Sequence, residues 1–395
     1  MLLLSQILRH KEVCLTQYIW HHPQWPDFTS ETKRLLLPLG RCRNLQGQLI
    51  QQVSSLGLDL ALETQLEALT QETVKTAELE GEFYNPEAVR SSIASRLGLP
   101  TAGVRAAPRT VDGLVDVLLD ATNLDNPTLT ADRLKAWQAA LFPNGRSGLF
   151  DIAVGKWRSQ EMQVVSGRHG RKKIHYIAPP PENVGREMKS FFEWWERSQP
   201  HFGNEDPILR AGIAHYWFVA IHPFDDGNGR IARALSDMAL AQAEGAAKRC
   251  YSLSSMIMES RDGYYEVLEK TSNGQGDITD WLCWFLDCHE QAMKHSQQTI
   301  SKVLGISHFW LNISDVSLND RQRKVVKKLL EAGRGGFKGG FTAKKHQGIV
   351  KGSRATLARD LADLVEKRIL LAAGEKKGTR YELNWSLASP SWNAQ

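Results

Sequence analysis

The segment DPILRAGIAHYWFVAIHPFDDGNGRIARALSDMALAQAE, residues 206–244, decides the fold of the central part of the chain. Its two ends are apolar runs with helical spacing, and a short loop between them contains a histidine, two aspartates and two glycines. The second run continues without a break from Arg230, so the sequence DGNG lies at the N-terminus of a helix. We therefore predict two helices joined by a tight loop.

This loop has the chemistry of an anion site. Free backbone N–H groups and the positive end of the helix dipole meet at a helix N-terminus. Gly227 and Gly229 let the backbone approach a phosphate without a Cβ in the way. Arg230 and Arg233 are three residues apart and share one helix face, where each can bind a phosphate through two N–H groups. Two arginines at one anion site indicate a polyphosphate.

Two further side chains indicate a reaction. A carboxylate beside a phosphate is repulsive unless a divalent cation lies between them, so Asp226 predicts Mg²⁺ held together with phosphate oxygens and water. His222 supplies a base that can take a proton from an attacking hydroxyl, and Phe224 is expected to point inward. We infer transfer of a phosphorus-containing group from a nucleotide to a hydroxyl.

The stretch GNGRIA also fits the loose dinucleotide-binding pattern G-x-G-x-x-A. That pattern requires a strand before it and an acidic residue about 20 positions later. The preceding segment is predicted to be helical and the acidic residue is lacking, so we set this interpretation aside.

The sequence from His222 to Arg230, followed by Arg233, resembles the Fic-family signature HPFx(D/E)GN(G/K)RxxR at every position. Fic proteins typically transfer AMP from ATP to a Ser, Thr or Tyr hydroxyl of a target protein and release pyrophosphate. The resemblance implies that His222 is the base and Asp226 the Mg²⁺ ligand. The residues it implies for binding the ATP phosphates are Gly227, Asn228, Gly229, Arg230 and Arg233. The first three would form an anion hole, and the arginines would hold the β- and γ-phosphates.

Two other segments gain a role from this resemblance. The sequence EMQVVSGRHGRKKIHYIAPPP, residues 161–181, predicts a hairpin because two β-branched or aromatic runs flank a Gly/Arg/Lys turn. It lies where the family has a flap that aligns an extended target segment, and Ile174 and His175 would face that segment and the nucleotide. Downstream, RDGYYEVLEKTSN resembles the segment on the adenine side, which implicates Tyr264, Tyr265 and Asn273 in ATP binding.

The sequence TAELEG resembles the family's inhibitory pattern (S/T)xxxE(G/N), with Thr76, Glu80 and Gly81 at the matching positions. Leucines at helical spacing predict a helix over about residues 62–81 that ends at the glycine. A carboxylate paired with Arg233 would remove the arginine that the γ-phosphate needs. The resemblance therefore implies an inhibitory helix, and we expect activity to stay low until the pair is broken.

The basic residues are concentrated near the C-terminus. From Leu318 to Leu383 there are 17 Lys and Arg against 7 Asp and Glu, although the whole chain has a net charge of only +5. Two amphipathic helices and a short hairpin over residues 316–390 predict a winged helix. Arg354, Thr356 and Arg359 are expected on the exposed face of its second helix, where they could enter a DNA major groove. Protein docking or dimerisation is the alternative, which we favour slightly for an enzyme with a protein substrate.

Composition limits the remaining possibilities. The 395 residues are 42% hydrophobic and 24% charged, which is ordinary for a globular protein, and no run is long enough to span a bilayer. Five cysteines without a CxxC pair indicate reduced thiols, so we expect a cytoplasmic protein without a membrane partner.

We predict a mainly α protein with three parts. They are an N-terminal helical domain (residues 1–109), a Fic core with a β-hairpin flap (110–305) and the winged helix. The expected function is autoinhibited transfer of AMP from ATP, with Mg²⁺, to a target protein or to itself. The alternatives are removal of AMP, transfer of phosphate or another nucleotide, and a DNA-binding regulator with a nucleotide-sensing core. The family also implies a homodimer.

Overall fold

A computed structural model of the chain describes residues 18–54, 56–99, 107–166, 173–199, 205–245, 249–337, 339–374 and 378–388. The fold is mainly α, as predicted from the sequence. The chain forms two compact units, Met1–Ser296 and Gln297–Gln395. The division of the first unit into an N-terminal domain and a core stays a prediction. None of the helices in the described residues is long and apolar enough to cross a membrane.

The first unit contains ten helices in its described residues and the first part of an eleventh. They are α1 (Thr32–Ser54), α2 (Leu58–Leu79), α3 (Pro86–Arg96), α4 (Arg109–Ala121), α5 (Ala131–Leu141), α6 (Val184–Arg197), α7 (Pro207–Ile221), α8 (Asn228–Glu244), α9 (Leu253–Glu259), α10 (Arg261–Ser272) and α11 (Thr279–Asn312). Its short strands form two antiparallel hairpins. These strands are β1 (Arg146–Ser147), β2 (Phe150–Asp151), β3 (Gln163–Ser166) and β4 (Lys173–Ile177).

The pair of helices α7 and α8 is the centre of this unit. The α7 helix begins at Pro207 because the Asp206 side chain caps it, with Oδ1 accepting a hydrogen bond from Ile208 N at 2.8 Å. Its side chains are apolar on almost every face, and most of them are fully buried. A helix that is apolar all round must lie inside the protein, and α7 does so. It ends at His222, which has a left-handed backbone with φ of 50°.

The α2 helix is also buried along most of its length, although it contains many polar residues. Thr70 and Thr73 satisfy their hydroxyls inside the helix, by donating to carbonyls four residues earlier. Glu72 is buried and accepts hydrogen bonds from Ser252 Oγ at 2.8 Å and from Ser254 N at 3.0 Å. Ser252 caps α9 and Ser254 lies in its first turn, so this carboxylate fixes α2 against the N-terminus of another helix.

The α2 helix ends in a Schellman turn. Gly81 N donates to Glu78 O and Glu82 N donates to Ala77 O, both at 3.0 Å. Gly81 has φ of +79°, a conformation that a residue with a Cβ adopts only with strain. The helix therefore ends at the glycine, as the sequence predicted. The turn leaves the side chains of Glu80 and Glu82 on either side of the glycine.

The second unit has its own hydrophobic core. Its described elements after α11 are α12 (Asp320–Ala332), α13 (Ala343–Ile349), α14 (Arg354–Glu366), β5 (Leu370–Ala373) and β6 (Arg380–Leu383). The strands β5 and β6 pair in an antiparallel hairpin, and Phe341 forms a further antiparallel bridge to Tyr381. A capping box begins α12, and Ser353 caps α14. Arg354 and Arg359 are exposed on α14, whereas Thr356 is partly buried.

Candidate active site

The loop between α7 and α8 is braced by its own side chains. Asn228 is buried, and its amide accepts from Phe224 N at 3.0 Å and donates to Phe224 O at 2.8 Å. Phe224 is fully buried, as predicted. Gly227 has φ of +90°, and a Cβ there would meet the ring of Phe142 at 3.0 Å. The asparagine side chain thus holds the loop, and only its backbone N–H remains for an anion.

A second brace comes from residues that the sequence did not single out. Arg158 is buried, and its Nε donates to His222 O at 2.7 Å while its Nη1 donates to Gln160 O at 2.9 Å. Its backbone N donates to Pro223 O at 2.9 Å. Asp225, the variable position of the signature, accepts from Ala153 N at 2.9 Å. These contacts fix the backbone on both sides of the loop.

His222 has the geometry of a general base. Its Nδ1 lies 3.2 Å from Val219 O, and we assign the proton to Nδ1 because a carbonyl can only accept. This tautomer leaves a lone pair on Nε2. Burial lowers the pKa of His222 to about 4, so the imidazole is neutral at neutral pH. A neutral imidazole with an available Nε2 can accept a proton from a hydroxyl.

Asp226 lies in the loop, directly before the residue that caps α8. Its Oδ1 accepts from Gly227 N at 2.6 Å, and its Oδ2 accepts from Ser147 Oγ on β1. No group of three or more His, Cys, Asp or Glu that could hold a metal ion occurs in the described residues. Mg²⁺ accepts coordination by a single carboxylate if phosphate oxygens and water complete its shell. Asp226 therefore fits Mg²⁺ only together with a bound polyphosphate.

Arg233 is buried against the C-terminal part of α2. Its Nη2 donates to Glu80 Oε1 at 2.6 Å, and its Nε donates to Thr76 Oγ1. The arginine is 1% exposed, whereas the side chain of Glu80 retains 29% exposure. Burial opposes ionisation of Glu80, but the charge of Arg233 outweighs it and holds the pKa of this carboxyl below its ordinary value. The carboxylate is therefore ionised and paired at neutral pH.

The Glu80 carboxylate also fills the space above the loop. A Cβ added at Gly229 would collide with Glu80 Oε1 and would lie 3.2 Å from Arg233 Nη1. The position without a side chain is thus covered by a carboxylate, which is itself an anion.

Arg230 is equally buried but pairs with a different residue. Its Nη1 lies 3.0 Å from Glu82 Oε1, and its guanidinium lies 4.8 Å from the centre of the Phe142 ring. The sequence did not predict a role for Glu82, because this residue lies outside the inhibitory pattern. The two arginines share one face of α8, as expected from their spacing, and each faces its own carboxylate.

A cavity of about 670 Å³ is lined by seven of the fifteen residues predicted for the active site and its inhibition. Those that line it are His175, His222, Gly229, Arg233, Glu80, Tyr264 and Tyr265. Val164 and Val165 of β3 form part of its wall. This volume is typical of a small-molecule site.

Eight predicted residues are not among those of the described chain that line the cavity: Thr76, Gly81, Ile174, Asp226, Gly227, Asn228, Arg230 and Asn273. Ile174 is 47% exposed on the flap hairpin, and Asn273 ends α10 with its Nδ2 donating to Glu269 O at 2.7 Å. The flap was predicted as one hairpin, and its strands pair with a register shift between Val164 and Val165. The turn of this hairpin, residues 167–172, lies outside the described residues.

Tyr264 contributes more to packing than its predicted role implies. It is 3% exposed, and its hydroxyl lies 2.9 Å from His215 Nε2. Tyr265 is 41% exposed and stacks edge-on against Tyr264, with 5.1 Å between the ring centres. Of the two tyrosines, Tyr265 has the surface available to a nucleotide base.

The chain is similar to known proteins in fold and in sequence. A solved Fic family protein from Desulfovibrio desulfuricans has a similar fold, with a TM-score of 0.52 at 20% identity over 91% of this chain and 98% of that chain. Residues 128–240 match the Fic/DOC family, and residues 18–99 match a domain of unknown function, DUF4172. The chain is therefore a helical protein of the Fic fold, and it carries a Fic domain. The resemblance found in the sequence is confirmed for that domain.

Curated relatives match over a shorter segment. The protein adenylyltransferase Fic of Nematostella vectensis is 29% identical over 142 residues, which is 36% of this chain and 29% of that protein. The protein adenylyltransferase Fic of Drosophila erecta is 31% identical over 133 residues, which is 33% of this chain and 25% of that protein. The match thus spans less than a third of these relatives' length.

Proposed function

We propose that the chain is a protein AMP transferase that moves AMP from ATP to a Ser, Thr or Tyr hydroxyl and releases pyrophosphate. One observation carries the proposal. The neutral His222, with Nδ1 held by Val219 O, lines the same cavity as Arg233 and the backbone of Gly229. The base must reach the attacking hydroxyl while the anion site holds the nucleotide phosphates, so the two must border one space, and here they line one cavity. The matches to proteins named adenylyltransferase support the same activity.

In this proposal each residue of the loop has one task. His222 accepts the proton of the attacking hydroxyl, and the backbone N–H groups of Asn228 and Gly229 bind the phosphate at which negative charge develops. Gly227 N joins them once Asp226 Oδ1 releases it. Arg230 and Arg233 hold the β- and γ-phosphates. Asp226 would hold Mg²⁺, which neutralises phosphate charge when it is bound. The flap strands would pair with an extended segment of the target protein.

We propose further that the enzyme is autoinhibited through Glu80. The pair between Arg233 Nη2 and Glu80 Oε1, at 2.6 Å, uses an arginine that the γ-phosphate requires. Thr76 binds the same guanidinium through its Oγ1 and its carbonyl, so the end of α2 supplies three acceptors to one arginine. ATP then lacks a partner for its last phosphate, and transfer is slow.

The test uses purified wild-type protein, Glu80→Gly, and Glu80→Gly combined with His222→Ala. Each is incubated with Mg²⁺ and ATP that carries a label on the α- or the γ-phosphate, and intact mass is measured in parallel. We expect an AMP mass with α-label only, in Glu80→Gly alone. Absence of α-label from Glu80→Gly, when an added protein substrate is also present, would contradict the proposal.

The same experiment distinguishes the alternatives. Incorporation of γ-label would indicate phosphate transfer. Removal of AMP is a second candidate because Glu80 lines the same cavity as His222, which places a carboxylate where it could orient a water. Loss of AMP from a previously modified protein, dependent on Glu80, would favour that reaction.

We infer that the second unit is a winged helix that docks a protein. Its three helices, hairpin and bridge at Phe341 have the order of that motif. Arg354 and Arg359 are exposed on α14, and DNA binding is the competing use of this basic face. Duplex binding by the full chain that weakens steeply with salt would favour a DNA-binding regulator. A homodimer, which the family implies, would be tested by sedimentation.

A further inference from the structure

We propose that Glu82 is a second carboxylate that controls this site, by competing with a nucleotide phosphate for Arg230. The inference rests on the proposed function and extends it. The inhibitory pattern contains one glutamate, which faces Arg233. In the structure Arg230, the other arginine proposed to bind phosphate, pairs with Glu82, two residues after Glu80.

The contacts around Arg230 support exchange of its partner. Arg230 is 3% exposed and cannot leave its position beside Phe142, whereas the Glu82 side chain is 38% exposed. Glu82 is therefore the partner that can move into water. In addition, Arg230 Nε is buried and has no hydrogen-bond partner among the described residues. A buried charged donor without a partner is costly, and an incoming phosphate would supply the missing acceptor.

Glu82 is held in place by a neighbour. Its Oε2 accepts a hydrogen bond from the hydroxyl of Tyr84, while its Oε1 faces Arg230. Burial, followed by the hydrogen bond to Glu82, raises the pKa of Tyr84 to about 12, so the hydroxyl remains a donor. Tyr84 itself packs against the core cluster between α2, α3 and α4. The carboxylate is thus oriented toward the arginine, although its end remains accessible to water.

The Schellman turn explains why two carboxylates can reach two arginines. Arg230 and Arg233 lie about one turn apart on α8. Gly81, with φ of +79°, reverses the chain between Glu80 and Glu82, so that each faces one arginine. A helix that continued through this position would direct the side chains of residues 80 and 82 about 200° apart, on opposite faces, and could not place both there.

The consequence is a site that selects nucleotides by their phosphates. AMP has neither a β- nor a γ-phosphate, so its affinity should not depend on either carboxylate. ADP and ATP must displace Glu82 from Arg230. We therefore expect Glu82→Gln to tighten ADP and ATP binding about fivefold or more, and to leave AMP binding within about twofold.

The test measures the affinities of AMP, ADP and a non-hydrolysable ATP analogue by calorimetry, with Mg²⁺ present. The proteins are wild type, Glu82→Gln, Glu80→Gln, the double variant and Tyr84→Phe. Glu78→Gln is the matched control, because Glu78 lies on the same helix end but pairs with Lys75. Thermal unfolding verifies that each variant is folded. Tyr84→Phe keeps the carboxylate and should shift ADP affinity in the same direction by a smaller factor.

The outcomes separate the two proposals. If Glu80→Gln raises the affinity for ATP and Glu82→Gln changes the affinity for neither ADP nor ATP, the role proposed for Glu82 is overturned and the proposed function stands. An equal shift for AMP, ADP and ATP also overturns it, because a purely structural change would not depend on phosphate number. If no variant binds any nucleotide, both proposals are overturned.

Discussion

Glu80 Oε1 lies 2.6 Å from Arg233 Nη2, and these two residues connect the end of α2 to the first turns of α8. The arginine is buried and the glutamate is partly exposed. Breaking the pair by moving the glutamate leaves a buried cation that needs a new anion. This relationship is the physical reason to expect that nucleotide binding and α2 docking are coupled.

The hydroxyl of Thr76 should contribute measurably to that coupling. Thr76→Val removes the acceptor for Arg233 Nε, which would then be unsatisfied at a cost of about 1–3 kcal/mol. We expect AMP transfer to rise, although less than in Glu80→Gly, in the labelling assay. Thr73→Val is the matched control, since its hydroxyl bonds only within α2. Equal activity of Thr76→Val and wild type would contradict the assigned role.

His222 should affect chemistry without affecting binding. Removing a general base typically costs a factor of about 100 or more in rate. We expect His222→Ala, in the Glu80→Gly protein, to lose transfer by at least that factor while ADP affinity stays within about twofold. A large loss of ADP affinity would instead indicate that His222 holds the loop rather than the proton.

The pH dependence of transfer should reflect the buried imidazole. Burial lowers the pKa of His222 to about 4, so the base form is complete at pH 7 and is lost only as the pH falls toward that value. For Glu80→Gly at saturating ATP, we expect the maximal rate to be nearly constant from about pH 6 to 8. A half-loss near the ordinary histidine value of about 6.5 would show that the imidazole is solvated during the reaction.

Arg158 should be a main source of stability for the loop. Arg158→Met leaves several carbonyls around His222 and Gln160 without their donor, and we expect unfolding free energy to fall by about 3 kcal/mol. Transfer should fall with it. The control is Arg186→Met, whose side chain is 70% exposed and should change stability by less than about 0.5 kcal/mol. Urea unfolding measures both, and similar values for the two variants would refute this role.

Glycine should be needed at position 81 because of its left-handed backbone conformation, and not because a side chain would lack room there. A Cβ there would meet nothing within 4 Å, but φ of +79° would cost about 1–2 kcal/mol for alanine. Gly98→Ala imposes the same strain at the end of α3, where φ is +72° and nothing lies within 4 Å. Both variants should lose similar stability, but only Gly81→Ala should raise ADP affinity. Unchanged ADP affinity in both would show that the turn does not position the carboxylates.

Local patterns predicted the elements of the site that depend on local sequence. The glycine at residue 81 ends α2, the loop after His222 runs into α8, and Phe224 points inward, because capping, helix start and periodicity all act within a few residues. The mainly α fold followed from the same signals. The pair between Glu80 and Arg233 was implied by a family resemblance, and the structure contains the ion pair; its inhibitory effect stays a proposal.

Other contributors were invisible in the sequence because their partners are distant along the chain. Arg158 contacts the carbonyl of His222 across 64 positions, and a single arginine in KWRS gives no signal of this. Glu82 contacts Arg230 across 148 positions and lies beyond the recognised pattern. Tyr264 lines the cavity and also bonds to His215 in the core, so its predicted nucleotide contact stays a prediction. Tertiary packing determines which distant residues come into contact, and the periodicity of the sequence carries no information about these contacts.

The carboxylate above Gly229 has a consequence for how inhibition responds to concentration. Because Glu80 is attached to a rigid helix of the same chain, it acts as a tethered anion whose local concentration is set by geometry. Diluting the protein therefore cannot release it, whereas a competitor supplied by another molecule would dissociate. Under the proposed function, activation requires either more nucleotide or a partner that moves α2. The nucleotide concentration needed is set by how firmly α2 holds Glu80 against Arg233.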